Sequence, residues 1–291
     1  MNNWLKRNKT LIAALMAAVC VICGSISLAD RWDDVYLAVG LMTKADDGDF
    51  VRFADVGQGD CTVVQSGGRA MLIDVGDKAH AAQVYNYLRS LGIRELDCVI
   101  VTHPHSDHMG GLEYLCEHMS VGSVYITERS PSENNDLIIY ESVLSKTDYD
   151  VRPTETLNDF EFGDFNVNVA YFDSSAYDEN DRSAVIRLVC GGYSFLVTGD
   201  ITSAAEQKIN TSADVLKVAH HGSKNSSSGA FLRRVAPHFA VISVGADNSY
   251  GHPNRSTLDR LNEIGAVVRR TDVNGAVTFE IDNGLKLYTE Y

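Results

Sequence analysis

The chain has 291 residues, 45% of them hydrophobic, and carries 39 acidic against 25 basic side chains for a formal net charge of −14. That length and composition support a sizeable core and exclude a disordered or low-complexity array. So acidic a balance repels polyanions at long range and counts against non-specific nucleic-acid binding through basic patches, although metal ions can still supply local positive charge to a phosphodiester.

The first 29 residues differ from the rest. Lys6, Arg7 and Lys9 form a positive start, Leu11 to Cys23 is apolar and uncharged, and Ser27 and Ala29 place small residues before a cleavage at Asp30. This is the pattern of a secretory signal peptide. An uncleaved anchor is the competing reading, because Leu11 to Ala29 is nearly long enough to span a bilayer. Either reading places the remainder outside the cytoplasm, secreted or at the cell surface, with membrane contact only through this segment. Three of the 25 basic and none of the 39 acidic residues lie in it, which leaves 22 against 39, a net of −17. Residues 30–49 read as a linker ending in the acidic turn "KADDGD". Cys61, Cys98, Cys116 and Cys190 follow without CxxC spacing. They read as buried thiols, with one or two disulfides as the extracellular alternative.

From residue 50 onward the chain reads as one domain. "VRFADV", "CTVVQS" and "RAMLIDV" are short strands with glycine-rich turns between them. "KAHAAQVYNYLRSLG" is a helix that stops at Gly92. "LDCVIVT" is a buried strand, "GGLEYLCEHM" a helix, "GSVYIT" a strand and "NNDLIIYESVLSK" a helix. "FNVNVAYF", "SAVIRLVC" and "YSFLVTG" are strands and "ITSAAEQKIN" a helix. "ADVLKVA", "SSGAFLRRV", "FAVISVG" and "NRSTLDRLNEIG" then alternate strand and helix, and "GAVTFEID" with "LKLYTEY" closes as a hairpin. A meander followed by alternation predicts two mixed sheets face to face with helices outside.

Polar clusters sit where these strands end. "VTHPHSDHMGG" brings His103, His105, Asp107 and His108 directly after a buried strand; "FLVTGD" ends at Asp200, "LKVAHHGS" at His220 and His221, and "VGADNSYGHP" carries His252. Of the nine histidines, six fall in these clusters; His80, His118 and His238 read as surface or structural. Residues just past strand C-termini collect at one sheet edge, where α/β sheets bind ligands. Imidazole and carboxylate together suit zinc, manganese or iron. His103 and His105 can point one way in an extended turn toward one metal, with Asp107 and His108 turned toward a second. Asp200 is the candidate bridge between them, and a hydroxide held by the metals the nucleophile. Gly110 and Gly111 let the next helix start close to the site.

"THPHSDHMGG", "TGD" and "HHGS" together resemble the metallo-β-lactamase superfamily. More narrowly, "DVGQGDC", "LIDVG", "NDRSAVIRL", "FLVTGD", "LKVAHHGS" and "GHP", in that order, resemble the hydrolase domain of the ComEC competence channels. The resemblance covers about Val51 to Tyr291. It implies an αββα sandwich with two divalent metal ions, zinc or manganese, between the sheet edges. His103 and His105 match the ligands of one metal, Asp107 and His108 those of the other, Asp200 the bridge, and one histidine of "HHGS" the last ligand. His220 is favoured for that place as the first residue past the strand, which leaves His221 facing substrate. The chain departs from the superfamily in one respect. Many members carry a further histidine between the metal loop and the bridging aspartate; here that interval holds His118 alone, inside a helix, so the first metal is expected to be the weaker.

Other motif residues carry two readings each. Asp74 reads as a buried aspartate orienting the metal loop rather than a ligand. "DVGQGD" is a structural turn or a substrate loop. Asn180 could face the site before its strand. Ser223, with Ser226 to Ser228, either binds phosphate or caps a helix. Lys217 is a buried partner for a carboxylate or a substrate contact, and His252 a substrate-side contact. The leading expectation is an exported phosphodiesterase or nuclease acting on extracellular DNA, with Asp107, Asp200, His221 and His252 in catalytic roles. The alternatives are a phosphorylcholine esterase acting on cell-wall polymers and a non-catalytic domain with a vestigial site. No protein partner is implied.

Overall fold

The computed structural model describes residues 46–127 and 150–291. The signal segment, most of the 30–49 linker and the helix expected from "NNDLIIYESVLSK" lie outside the described residues.

Short strands with apolar residues on both faces make sheets that must be covered on both sides. The first sheet is built from β1 (Asp49–Phe53), β2 (Thr62–Ser66), β3 (Arg69–Ile73), β4 (Glu95–Ile100), β5 (Ser120–Ile126) and β6 (Asp150–Pro153). The second is built from β7 (Phe160–Phe162), β8 (Phe165–Tyr171), β9 (Val185–Cys190), β10 (Tyr193–Val197), β11 (Val215–Lys217), β12 (Phe239–Ile242) and β13 (Val267–Arg270). The closing hairpin, β14 (Val277–Ile281) and β15 (Leu285–Thr289), returns to the first sheet, where β14 pairs antiparallel with β1. The orders are β15-β14-β1-β2-β3-β4-β5-β6 and β13-β12-β11-β10-β9-β8-β7. Both sheets are mixed: β3, β4 and β5 run parallel, as do β10 to β13, and the remaining pairings include antiparallel ones.

Side chains alternate across each strand and sort into three apolar layers. Val64, Met71, Ile73 and Ile100 of the first sheet meet Phe195, Val197, Val215 and Val241 of the second. Their neighbours Val63, Leu72 and Val99 point the other way, onto α1 (Ala81–Ser90) and α3 (Leu112–His118), which follows the short α2 (Ser106–Met109). Leu196, Leu216 and Ala240 likewise leave the second sheet to meet α5 (Gly229–Val235) and α6 (Arg255–Glu263), beyond the short α4 (Ser203–Glu206). The result is the αββα sandwich that the alternation predicts. The four cysteines of the described residues are all buried free thiols.

Three strands escaped the sequence reading. β6 is polar, β7 has three residues, and β13, "VVRR", is half-buried without alternation. The helix expected over "ITSAAEQKIN" shrinks to α4: Lys208 and Ile209 donate to carbonyls three residues back, and this tight turn buries Ile209. Among the described residues no helix is long and apolar enough to cross a membrane.

Phe279 of β14 joins the two sheets. Its ring lies 6.3 Å from Phe53 in its own sheet and 5.7 and 5.4 Å from Phe195 and Phe239 opposite. Phe279→Ala is expected to cost about 3–5 kcal/mol in chemical denaturation, as full truncation of a core aromatic does. A cost below about 1 kcal/mol would show that the hairpin does not close the core.

Candidate metal centre

Strand register brings the polar clusters together. Ile73 of β3 is level with Ile100 of β4, so Asp74 and the loop from Thr102 leave the first sheet at one edge. Val197, Lys217 and Val241 are level in the second sheet, so Asp200, His220 and His221, and the segment toward His252 leave it together.

The metal loop is clamped by its neighbours. Buried Asp74 accepts from the Thr102 amide at 2.7 Å and hydroxyl at 2.8 Å, and meets His108 Nδ1 at 2.8 Å. The Asp60 amide donates to the Asp107 carbonyl at 3.0 Å and the Val75 amide to that of His108 at 2.8 Å. A Cβ on Gly59 would lie 2.7 Å from the Asp107 carbonyl oxygen, and one on Gly111 2.4 Å from that of Val75. The "DVGQGD" turn is therefore a buttress against which the loop closes, with Gln58 alone of that turn reaching the cavity. Beneath it the Lys217 ammonium pairs with Asp60, both buried. Burial opposes the charge on Lys217, but Asp60 and Asp200 outweigh it and hold the ammonium above its ordinary pKa.

Each donor imidazole turns one nitrogen outward to a fixed acceptor and the other inward. His108 gives Nδ1 to Asp74 and brings Nε2 to 3.3 Å from Asp200 Oδ1. His221 gives Nδ1 to the Ser243 carbonyl at 2.9 Å and presents Nε2 3.1 Å from Asp107 Oδ2 and 3.7 Å from Asp200 Oδ2. Such outer partners fix the tautomer and the ring plane of a metal ligand. Asp107, His108, Asp200 and His221 each offer one donor atom, all within 4.8 Å of one another. His103 lies against this group, its ring 4.1 Å from that of His108 and 4.5 Å from that of His105.

The group fits a cation. Buried His103 Nε2 has no hydrogen-bond partner, and His108 Nε2 and Asp200 Oδ1 face each other at 3.3 Å without a well-directed hydrogen bond, a state in which buried polar atoms are rarely left. Burial works against the charge on Asp107 and Asp200, yet His108 and His221 hold both carboxyls well below the usual carboxylate range. The same carboxylates raise His108 and His221 above the ordinary imidazole value against the pull of burial. His103, buried and next to His108, is pushed well below.

His221 meets both Asp107 and Asp200, whereas His220 meets Asp200 alone. The sequence preference assumed that the strand's extended course continues past Val218. Instead both histidines adopt left-handed backbone, φ 53° and 50°, and the turn swings the second ring inward. His220 keeps Nε2 3.7 Å from Asp200 Oδ2 and lines the cavity. The remaining expected residues divide. Asn180 and His252 line a cavity of about 280 Å³ in front of the metal group, with Tyr250 at its lip. Ser223 does not line it: its amide bonds the His220 carbonyl and its hydroxyl accepts from Asn225. Ser228 caps α5 and Ser226 bonds the Ile201 carbonyl. His118 bonds the Tyr114 carbonyl within its own helix.

Two residues passed unnoticed in the sequence. Asp181 accepts from the Thr202 amide and hydroxyl and so ties the "ENDRS" turn to the segment after Asp200. Glu179 brings Oε2 3.5 Å from His105 Nε2 and Oε1 3.9 Å from the Arg182 guanidinium. It gives His105 the kind of outer acceptor that Asp74 gives His108. Nothing in the spacing of "ENDRS" singles out these two acids; the resemblance drew attention to Asn180 only.

Comparison with known proteins identifies the family. A family model described as the metallo-beta-lactamase superfamily matches residues 54–246. Competence protein ComA of Neisseria gonorrhoeae is 32% identical over 79% of this chain and 32% of its own length. ComE operon protein 3 of Bacillus subtilis is 28% identical over 83% of this chain and 34% of its own. The chain thus spans about a third of the curated relatives it matches. The metallo-beta-lactamase fold protein YhfI of Bacillus subtilis superposes with a TM-score of 0.56 at 15% identity, over 80% of this chain and all of the other.

A cation held by the folded chain and not by the unfolded one stabilises it, by about 2.7 kcal/mol at a hundredfold excess over Kd. Zinc or manganese is therefore expected to raise the thermal midpoint of chelator-treated protein. Asp74→Ala, which frees the outer nitrogen of His108, is expected to weaken that binding about 10–100-fold by calorimetry. Unchanged affinity would remove Asp74 from the support of the site.

Proposed function

The chain belongs to the metallo-beta-lactamase superfamily, and from that premise we propose that it is an exported, metal-dependent phosphodiesterase whose substrate is extracellular DNA. The observation that carries the hydrolase reading is the preassembled group of Asp107, His108, Asp200 and His221 at the floor of an open cavity. The choice of DNA is supported by two relatives that bear competence names, ComA and ComE operon protein 3. Export is supported by the N-terminal charge and apolar pattern.

His103, His105, Asp107, His108, Asp200 and His221 are the residues that would hold two divalent ions. Bound there, such ions supply Lewis acidity and bring the pKa of water toward neutrality. The chain's own groups do the positioning. Asp74, the Ser243 carbonyl and Glu179 fix the planes of His108, His221 and His105. Asp200 presents Oδ1 to His108 Nε2 at 3.3 Å and Oδ2 to His221 Nε2 at 3.7 Å, and would serve as a ligand shared with both histidines. Burial and the neighbouring His220 and His221 hold the His252 imidazole below its ordinary pKa, and its Nδ1 has no hydrogen-bond partner. It is placed to exchange a proton with substrate. Asn180 directs Nδ2 to Asp178 at 3.1 Å, which leaves its unpartnered Oδ1 for the cavity side.

A second reading keeps the chemistry and takes phosphorylcholine esters of a cell-wall polymer as substrate. It is favoured by the net charge of −14 and by a cavity lining that, among the described residues, holds no lysine or arginine.

Activity on bis-p-nitrophenyl phosphate, single-stranded DNA and p-nitrophenylphosphorylcholine separates the two. Hydrolysis of the first two over the third is expected; the reverse order would establish the second reading. Asp200→Ala should lose bound metal and slow turnover by several kcal/mol of activation free energy, on the order of a thousandfold. His252→Ala should slow turnover with metal content intact. Wild-type rates in Asp200→Ala would contradict the mechanism, and metal loss in His252→Ala would make that histidine a ligand.

A further inference from the structure

Tyr250 is 69% exposed, and it stands at the lip of the cavity that faces the metal group. Its position is ordered by other rings. The His252 ring lies 5.8 Å away, only 22° from parallel, and His252 is in turn 6.4 Å from His221 at 27°. These separations are those of offset-stacked rings. Tyr250, His252 and His221 thus form a column that runs from a metal-facing imidazole out to solvent and ends on an open phenol face. The segment that carries it is held in shape: the Asn248 side chain bonds the Gly245 and His252 carbonyls and accepts from the His252 amide.

The geometry points to Tyr250 as a stacking platform for a nucleobase next to the phosphodiester being cleaved, an inference that rests on the phosphodiesterase reading above. A base has a flat face that adds one more layer to the column, and stacking tolerates any sequence. A quaternary ammonium fits less well, because its recognition uses a cage of several aromatic faces, and among the described residues Tyr250 is the single aromatic of the lining outside the histidines. Stacking also answers the charge problem. Among the described residues the lining holds no lysine or arginine to grip phosphate, and a stacked base supplies affinity that needs no basic side chain. Unpaired bases are required, since a duplex buries their faces. The platform therefore selects single-stranded nucleic acid or a nucleotide end.

The test compares wild type, Tyr250→Phe and Tyr250→Ala in the full chain loaded with manganese. Three esters are used: thymidine 5′-(p-nitrophenyl phosphate), methyl p-nitrophenyl phosphate and p-nitrophenylphosphorylcholine. Alanine should lower the ratio of kcat/KM for the nucleoside ester over the methyl ester roughly five- to 150-fold, the range that loss of one base stack produces. Phenylalanine should preserve the ratio, since the ring and not the hydroxyl acts. Binding of fluorescent oligothymidylate, followed by anisotropy, should weaken in step with the alanine variant. This arm separates the two readings: a wild type that binds oligothymidylate through Tyr250 but cleaves no ester keeps the platform and loses the phosphodiesterase. An unchanged ratio with unchanged binding, or a loss confined to the choline ester, overturns the platform.

Discussion

The constraint on which the structure depends is the crowding of acids at one sheet edge. Asp60, Asp74, Asp107 and Asp200 all converge on the same histidines, and three of the four are buried. Buried carboxylates repel one another and cannot stay ionised without paired charge. Each is answered differently. Lys217 reaches up from its strand to take Asp60, and Thr102 with His108 takes Asp74. Asp107 and Asp200 are left with imidazoles alone, turned inward by outer partners. These two acids share the place where a divalent cation removes the remaining repulsion, and that is what makes the group a binding site rather than a buried network.

Holding such a group requires backbone in uncommon conformations. Asp74, His220 and His221 all have positive φ, 60°, 53° and 50°. Aspartate and histidine tolerate this region better than bulky residues, but it still costs free energy that the surrounding packing must supply. The strain gathers where strands from both sheets end together. The rigid sandwich beneath, with Phe279 fixed between Phe53, Phe195 and Phe239, absorbs it. Rigidity in the sheets and strain at their ends are two aspects of one design.

The two-sheet architecture was legible in the sequence because short, nearly continuous apolar runs such as "RAMLI" and "YSFLV", bounded by turn residues, mark strands buried on both faces. β6, β7 and β13 were not, being short, polar or half-buried at sheet margins. The metal group was legible as residue types past strand ends, since strand C-termini collect at one edge whatever the details of packing. What no spacing rule contains is the direction of a side chain through a turn. The reversal between His220 and His221 depends on two left-handed residues in succession. Glu179 and Asp181 depend on a loop folding back over the site, which brings them to His105 and Thr202. Ser223 had the right chemistry for an anion, but its amide and hydroxyl are spent in its own turn.

The central claim is that Asp107, His108, Asp200 and His221 form a ready-made cation site with His220 outside it. Anomalous diffraction from crystals grown with zinc or manganese tests it most directly. The account requires a metal peak about 2.0–2.2 Å from His108 Nε2, His221 Nε2 and a carboxylate oxygen of both Asp107 and Asp200. A peak bound through His220 while His221 keeps clear of it, or no peak within reach of Asp200, would contradict the account.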